Sequence, residues 1–156
     1  MPTPEFILEL RRHIGNAPLW LTGATVIVLR GDLVLLGRRS DTGQWAAISG
    51  IVDPGEHPID TVTREALEET GVHIEVTAQL WIDVPGPVTY ADGDQCRYLD
   101  LGFLARWVSG EPVVGDEESL EVGWFRVDDL PQPRHPRLAA MVDLAVEHPA
   151  GVAFAL

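Results

Sequence analysis

The 156-residue chain has a single cysteine, Cys96, and few basic residues. One thiol forms no internal disulfide and cannot build a cysteine-rich zinc site, so we interpret Cys96 as a small packing residue. Lysine and arginine number 11 against 24 aspartates and glutamates, which gives a net charge of −13. A nucleic-acid partner is therefore disfavoured, because such proteins usually present a basic surface to the phosphates.

Long apolar runs are also missing. No stretch approaches the roughly 20 residues that span a bilayer, and the first ten residues carry Glu5 and Glu9 where a secretory signal has an unbroken apolar run. The sequence thus predicts no membrane partner and a cytoplasmic location. Apolar residues still make up 46% of the chain, enough to form a core, and the length fits a single domain over residues 1–156.

Apolar periodicity predicts an N-terminal helix over about 4–14, a core over about 21–130 and a C-terminal helix over about 136–147. Pro58 in a first turn and Gly71 just past the end predict a helix over 58–70. A turn of helix is expected at 128–130. Apolar or alternating segments predict strands at 24–30, 33–38, 45–52, 74–84, 98–108 and 120–127. This mixture indicates an α/β domain with a mixed sheet.

The most informative segment is 50–72, GIVDPGEHPIDTVTREALEETGV. At about 100° per residue, Glu68 and Glu69 lie within roughly 60° of Glu65, so the three carboxylates share one stripe of the helix. Acids clustered at the edge of a buried face repel each other, and a divalent cation with oxygen ligands would relieve that repulsion. We expect this face to lie outside the core, so that Glu69→Gln leaves the fold intact.

Two further residues extend the cluster. Glu56 precedes the helix closely enough to join the same site, and Arg64 can pair with Glu68 or with Glu56 and orient it. A Glu-Glu pair on a helix is by itself more often a solvated face. The spacing of the whole set favours a metal site over that alternative.

This spacing resembles the Nudix box, which has a Gly, five residues, a Glu, seven residues, Arg-Glu, two residues, Glu-Glu, one residue and a Gly. The fixed positions hold Gly50, Glu56, Arg64, Glu65, Glu68, Glu69 and Gly71. The segment departs from many relatives at Ser49-Gly50-Ile51, where they have Pro-Gly-Gly. The resemblance extends over about 21–130, and residues 116–118 and 121–125 are similar to the acidic loop and Trp-Phe strand of many members.

The resemblance implies a Nudix-type α/β/α sandwich and hydrolysis of a pyrophosphate bond in a nucleoside diphosphate linked to another group, with Mg²⁺ or Mn²⁺ as cofactor. Glu65 and Glu69 are the foremost implied metal ligands, followed by Glu68, Glu56 and the Gly50 carbonyl. Catalysis is expected to depend on Glu65 and Glu68, with Arg64 holding the carboxylates. The general base is either a box glutamate or Glu118, with Glu117 and Glu121 as lesser candidates.

The substrate is a small molecule whose identity the sequence leaves open. Trp20 and Tyr90 could stack on a base, whereas Trp45 and Trp81 fit a core at least as well. Arg38 and Arg39 could meet phosphate or could form an ordinary surface pair. Pro85 and Pro87 lie near a proline of ADP-ribose-cleaving relatives, which favours ADP-ribose or a nucleotide sugar.

The alternatives are a nucleoside triphosphate pyrophosphohydrolase, a non-catalytic nucleotide-sensing Nudix domain and an acidic interaction module. The sensing domain is disfavoured because the box acids are complete. The interaction module leaves the spacing unexplained. The resemblance is also compatible with a homodimer, in which the N-terminal helix and the strand around Trp81 are candidate contacts.

Overall fold

The computed structural model describes residues 3–148, 151–154 and 156, so residues 1–2, 149–150 and 155 of the predicted domain lie outside the described residues. The helices are α1 (Glu5–Ile14), α2 (Pro58–Thr70) and α3 (Leu138–Glu147). The strands are β1 (Leu19–Arg30), β2 (Leu33–Arg39), β3 (Trp45–Ala46), β4 (Ile48–Ile51), β5 (His73–Asp83), β6 (Val88–Thr89), β7 (Gln95–Ser109) and β8 (Ser119–Arg126).

The described strands form one mixed sheet in which β1 is central. β1 pairs in parallel with β7 and antiparallel with β2 and β4. The main path runs β3-β2-β1-β7-β5, while β8 adds to β2 and β6 adds to β7. This arrangement brings β4 and α2 against the middle of β1.

The helices cover both faces of the sheet. On one face, Val62 of α2 packs in a buried cluster with Ala24 and Val26. On the other, Leu138 of α3 packs with Ile27. Alternate β1 residues point to opposite faces, so a single apolar strand supplies both cores. Ile7 of α1 packs against Leu21, on the α3 face. The predicted α/β/α sandwich with a mixed sheet is confirmed.

Several boundaries differ from the sequence-based prediction. The segment 45–52 divides into two short strands because Trp45 pairs with β2 whereas Ile48–Ile51 pairs with β1. The expected turn of helix at 128–130 is wrong, since these residues form a turn and bend after β8.

No helix within the described ranges is both long and apolar enough to cross a membrane.

The role of the strand around Trp81 as a dimer contact stays a prediction, and the chain itself already engages part of this strand. The Trp81 side chain is fully buried against Gly102. The backbone on this edge is also engaged, because Ala153 accepts a hydrogen bond from Ile82 N–H and donates one to Leu80 O, each at 2.9 Å. The segment at Ala153 therefore already covers this part of the sheet edge.

A buried carboxylate joins α3 to the sheet. Asp100 on β7 accepts hydrogen bonds from Thr25 Oγ1 at 2.9 Å, from Trp81 Nε1 at 3.0 Å and from Arg137 Nη1 at 3.1 Å. Arg137 also donates to Asp83 at 2.9 Å. A buried charge is tolerated when it is paired and hydrogen-bonded, so the Asp100 carboxylate can be buried between the sheet and α3.

Candidate active site

Helix α2 begins and ends where the sequence predicts. His57 Nδ1 accepts a hydrogen bond from Ile59 N–H, Pro58 occupies the first turn, and Gly71 ends the helix in the left-handed conformation at φ 70°. The helix packs on β4, β1 and β5. The box carboxylates are therefore held on a rigid element that is fixed against the sheet.

Gly50 on β4 lies directly beneath the side chain of Glu65. A Cβ at position 50 would lie 2.4 Å from Glu65 Oε1 and 2.5 Å from its carboxyl carbon. Gly50 is thus required for space, so that the Glu65 carboxylate can lie against the strand. This contact explains physically why the motif begins with a glycine.

Arg64 holds three of the carboxylates together. Its Nε and Nη2 donate to the two oxygens of Glu56 at 2.9 and 3.0 Å, a two-point contact. Its Nη1 donates to Glu65 at 2.8 Å and to Glu68 at 3.2 Å. The hydrogen bond from Arg64 lowers the pKa of Glu56 to about 2. Burial acts in the opposite direction, and hydrogen bonds from Thr61 and from the backbone of Asp53 lower the pKa further. Glu56 is therefore a fixed anion.

The predicted stripe of carboxylates divides by burial. Glu65 and Glu69 are 1% and 7% exposed, whereas the Glu68 side chain is 46% exposed. The expectation that this face lies outside the core is therefore wrong for Glu65 and Glu69. The physical reason is that β4 pairs beside β1 and covers the flank of α2, an arrangement that the helical periodicity does not reveal.

Burial sets the protonation of these two acids. Desolvation raises the pKa of Glu65 to about 7, although Arg64 opposes it. Desolvation likewise raises the pKa of Glu69 to about 8, and the charges of Glu65 and Asp116 add to that effect. Burial stabilises the neutral form because a carboxylate loses its hydration. Buried acids with raised pKa values are a common feature of functional sites.

The oxygen atoms of the box residues are of the types that bind a hard divalent cation. Carboxylate and carbonyl oxygens are the ligands that Mg²⁺ takes in proteins, and the glycine at position 50 lets the Glu65 carboxylate lie against the backbone of β4. In the described part of the chain, no three acidic, histidine or cysteine side chains converge as a metal-binding group. Arg64 instead holds Glu56, Glu65 and Glu68.

A narrow cavity joins the helix to the late acidic loop. Glu69, Glu118 and Arg39 line it, together with residues of β2, β3 and β4 and the start of β8, namely Gly37, Ala46, Ala47, Ile48, Ser49 and Ser119. Its volume is about 10 Å³, which suits one water-sized body. The structure thus brings Glu118 to the box helix, although the two are separated by 49 positions.

The two arginines of the predicted phosphate pair separate. Arg39 lines the cavity and donates to Asp41 at 2.9 and 2.6 Å. Arg38 lies outside the cavity lining and donates to Glu121 at 2.8 Å. Neighbouring residues of a strand point to opposite faces, and only Arg39 of this pair lines the cavity. The phosphate contacts of both arginines stay predictions.

The two aromatic candidates also separate. Trp20 is 58% exposed and does not line the cavity. Tyr90 does not line the cavity either. Burial raises the pKa of Tyr90, and the charge of Arg39 is among the effects that oppose this rise. Its hydroxyl lies 2.6 Å from that of Tyr98. Sequence reasoning missed Tyr98, whose pairing with Tyr90 follows from β6 folding back on β7.

Comparisons with known proteins agree with this geometry. The NUDIX domain family model matches residues 20–145. The NAD-capped RNA hydrolase NudC of Pseudomonas syringae pv. syringae (strain B728a) is 41% identical over 112 residues, which cover 68% of this chain and 36% of that protein. The chain therefore spans well under half of the length of this curated relative.

Solved structures show the same fold. An ADP-ribose pyrophosphatase from Streptococcus suis 89-1591 matches with a TM-score of 0.69 at 23% identity, covering 86% of this chain and 98% of that one. A MutT NUDIX hydrolase from Burkholderia pseudomallei matches with a TM-score of 0.65 at 28% identity, covering 81% and 98%. The sequence motif, the family model and the sandwich agree, and the chain belongs to the Nudix hydrolase family.

Proposed function

We propose that the chain is a metal-dependent hydrolase that cleaves the pyrophosphate bond of a nucleoside diphosphate linked to another group. The observation that carries this proposal is the cavity shared by Glu69, Glu118 and Arg39. A buried acid of the box helix, an acid of the late loop and an arginine of β2 all line this cavity. Phosphoryl transfer needs charge neutralisation and positioning more than covalent help from the protein.

The proposed metal ligands are Glu65 and Glu69, supported by Glu68, Glu56 and the Gly50 carbonyl, with Mg²⁺ or Mn²⁺ as the cation. A bound divalent cation supplies polarisation of the phosphoryl oxygen and a lowered pKa for a coordinated water. It would also offset the desolvation of the two buried acids. Arg64 positions Glu56 and Glu65 through its hydrogen bonds.

The remaining roles fall to residues around the cavity. Glu118 is the proposed base that accepts the proton of the attacking water, and Glu65 and Glu68 are the box acids on which catalysis depends. Arg39 is the proposed phosphate contact, because it lines the cavity beside Glu69. Tyr90, within the electrostatic reach of Arg39, is the proposed aromatic contact for the nucleoside. Arg38 and Trp20, the other two predicted substrate contacts, do not line the cavity.

For the substrate, ADP-ribose or a related nucleotide sugar is the first proposal. A second candidate is NAD, because the curated relatives at 35–41% identity are named NAD-capped RNA hydrolases. The two share an AMP unit that a pyrophosphate bond joins to a second ribose 5-phosphate. The net charge of −13 disfavours contact with a long RNA chain, so we propose the small nucleotide. Nucleoside triphosphates are the remaining alternative.

The experiment is a turnover screen with product identification. ADP-ribose, NAD, a nucleotide sugar and nucleoside triphosphates are incubated with the protein in Mg²⁺, Mn²⁺ or EDTA. We expect AMP from ADP-ribose or NAD and no turnover in EDTA. Turnover that persists in EDTA contradicts the metal-dependent mechanism. Thermal stabilisation by a nucleotide without turnover on any compound would instead support a sensing domain.

Glu69→Gln tests the site itself. We expect turnover to fall by about 10² or more, since the variant loses a charge at the transition state. The control is Glu75→Gln on β5, whose side chain is 53% exposed in a surface ion pair with Arg106. That variant should keep wild-type turnover. Because Glu69 is buried, unfolding must be measured for both variants before rates are compared.

A further inference from the structure

The loop 110–118, between β7 and β8, rests on the last turn of α2. Val113 N–H donates to Thr70 O at 2.9 Å, and Gly115 N–H donates to Glu69 O at 3.0 Å. The last four carbonyls of a helix have no partner within it. This loop supplies two of the missing donors, so its backbone is fixed against the helix that carries the box acids.

Gly115 makes the closest approach. A Cβ at position 115 would lie 1.8 Å from Glu68 O, 2.9 Å from the Glu68 carbonyl carbon and 3.2 Å from that of Glu69. All three atoms belong to the helix backbone, which cannot turn aside as a flexible side chain can. The φ of Gly115 lies outside the left-handed region. Glycine is thus required here for its small size and not for its conformational freedom.

The segment after Gly115 carries the acid that reaches the cavity. Glu118 N–H donates to Asp116 Oδ1 at 3.0 Å, and Glu118 O accepts from Ser40 N–H at 2.7 Å. Glu118 then lines the cavity together with Glu69. Only Asp116 and Glu117 separate the glycine that contacts the helix from Glu118, so we expect a displacement at Gly115 to reach Glu118.

We propose that Gly115 is a positioning residue: the absence of a side chain there sets the distance between Glu118 and the metal-binding helix. The inference rests on the proposed function, in which Glu118 is the base. It adds that the close packing of this loop on the carbonyls of α2 is part of the catalytic geometry. A misplacement of about 1 Å can cost on the order of 10²-fold in rate.

The first test compares Gly115→Ala with Gly123→Ala. Gly123 also has a φ outside the left-handed region, and its added Cβ would make only an ordinary contact of 3.5 Å with Phe125. We expect kcat to fall by about 10²-fold in Gly115→Ala, with KM changed by less than about threefold, because the substrate contacts remain. Gly123→Ala should match the wild type. Wild-type kcat in Gly115→Ala overturns the inference.

A double-mutant cycle shows whether Gly115 acts through Glu118. If it does, Gly115→Ala should change kcat by less than about threefold in a Glu118→Gln background, because the carboxylate that it positions is already absent. If the two losses multiply, or if Glu118→Gln has wild-type kcat, the inference fails.

A glycine inserted between Asp116 and Glu117 tests the same inference if Gly115→Ala does not fold. It leaves Gly115 in place but lengthens the connection, so kcat should also fall, and an unchanged kcat overturns the inference.

Amide hydrogen exchange gives a readout that does not depend on turnover. In the metal-free wild type the Val113 and Gly115 amides should be protected by their hydrogen bonds to α2. Gly115→Ala should expose the Val113 amide to faster exchange, while Gly123→Ala should not. If the wild type hydrolyses no nucleotide, the proposed function fails, and the exchange result still shows whether Gly115 fixes the loop. Unchanged exchange at Val113 counts against the inference in either case.

Discussion

The carboxylate of Glu65 occupies the space that a side chain at Gly50 would need. A Cβ at position 50 would lie 2.4 Å from Glu65 Oε1 and 2.6 Å from Glu65 Cγ. The strand and the box helix therefore meet at a contact that fixes where this acid can lie. Glu65 is 1% exposed, so other residues enclose its side chain.

Gly50→Ala should displace Glu65 and lower kcat by about 10²-fold, the cost of moving a reactive group by about 1 Å. Steady-state kinetics under saturating Mg²⁺ checks this, with the midpoint of urea unfolding recorded in parallel. The matched variant Gly123→Ala has space for its methyl group and should keep both values. A Gly50→Ala protein with wild-type kcat would show that Glu65 does not need its present position.

Arg64→Lys should reduce turnover by roughly 10–100-fold, the usual effect of removing a partner that orients a metal ligand. Lysine keeps the charge but loses the planar two-point contact with Glu56, which now has hydrogen bonds of 2.9 and 3.0 Å. The affinity for Mn²⁺, measured by titration calorimetry, should weaken with the rate.

Arg126→Lys is the control for that change. Arg126 makes a similar two-point contact with Asp128, at 2.8 Å for both bonds, but on the protein surface. Its replacement should leave turnover and Mn²⁺ affinity unchanged. Equal losses in the two variants would indicate a general effect of removing an arginine and would argue against a specific role for Arg64.

The metal-free protein should lose stability as the pH rises from about 4.5 to about 8. The pKa values of Glu65 and Glu69 are raised from 4.5 to about 7 and about 8 by burial. Over that window the folded chain keeps protons that the unfolded chain has released, so the free energy of unfolding falls with rising pH. Urea unfolding in EDTA at a series of pH values measures this.

Mg²⁺ should reverse the trend, because it binds the ionised acids and the folded state alone. The stabilisation by Mg²⁺ should therefore be greater at pH 8 than at pH 5. Glu69→Gln should flatten the decline seen in EDTA, since one of the two titrating groups is gone. A stability profile that is independent of pH and of Mg²⁺ would contradict the assignment of these acids to a metal site.

Asp100→Ala should destabilise the fold by roughly 3–5 kcal/mol, the usual cost of removing one partner from a buried ion pair. The variant leaves the Trp81 indole N–H and one Arg137 donor without their acceptor. Guanidinium unfolding gives the value. Asp128→Ala, which removes an exposed partner of Arg126, should leave the unfolding midpoint unchanged. A similar midpoint for both variants would show that the Asp100 network contributes little.

The sequence predicted the box helix closely because the information is local. Pro58 and Gly71 mark its ends, and the period of the helix places the acids relative to one another. The metal dependence was predicted from the same residues, since clustered carboxylates at this spacing suit a divalent cation, and it stays a prediction. Arg64 was expected to pair with Glu68 or with Glu56, and it contacts both.

The sequence could not predict which acids are buried. Glu65 and Glu69 lie under β4, and Glu68 does not, because β4 reaches the helix only by pairing with the distant residues of β1. Arg38 and Arg39 are equivalent in the sequence. They separate because adjacent strand residues face opposite ways and only one side of β2 borders the cavity.

By itself, the sequence determined the helix, its carboxylates, the glycine at each end of the motif and the family resemblance, because these depend on residues within one short segment. The tertiary structure alone decided that Glu118, Arg39 and Glu69 share a cavity and that Gly115 lies against the backbone of α2. Those contacts join segments that are brought together only by the pairing of β2 with β8 and by the packing of the loop 110–118 on the helix. Helical and strand periods describe the direction of a side chain within its own element, and they carry no information on which other element it meets.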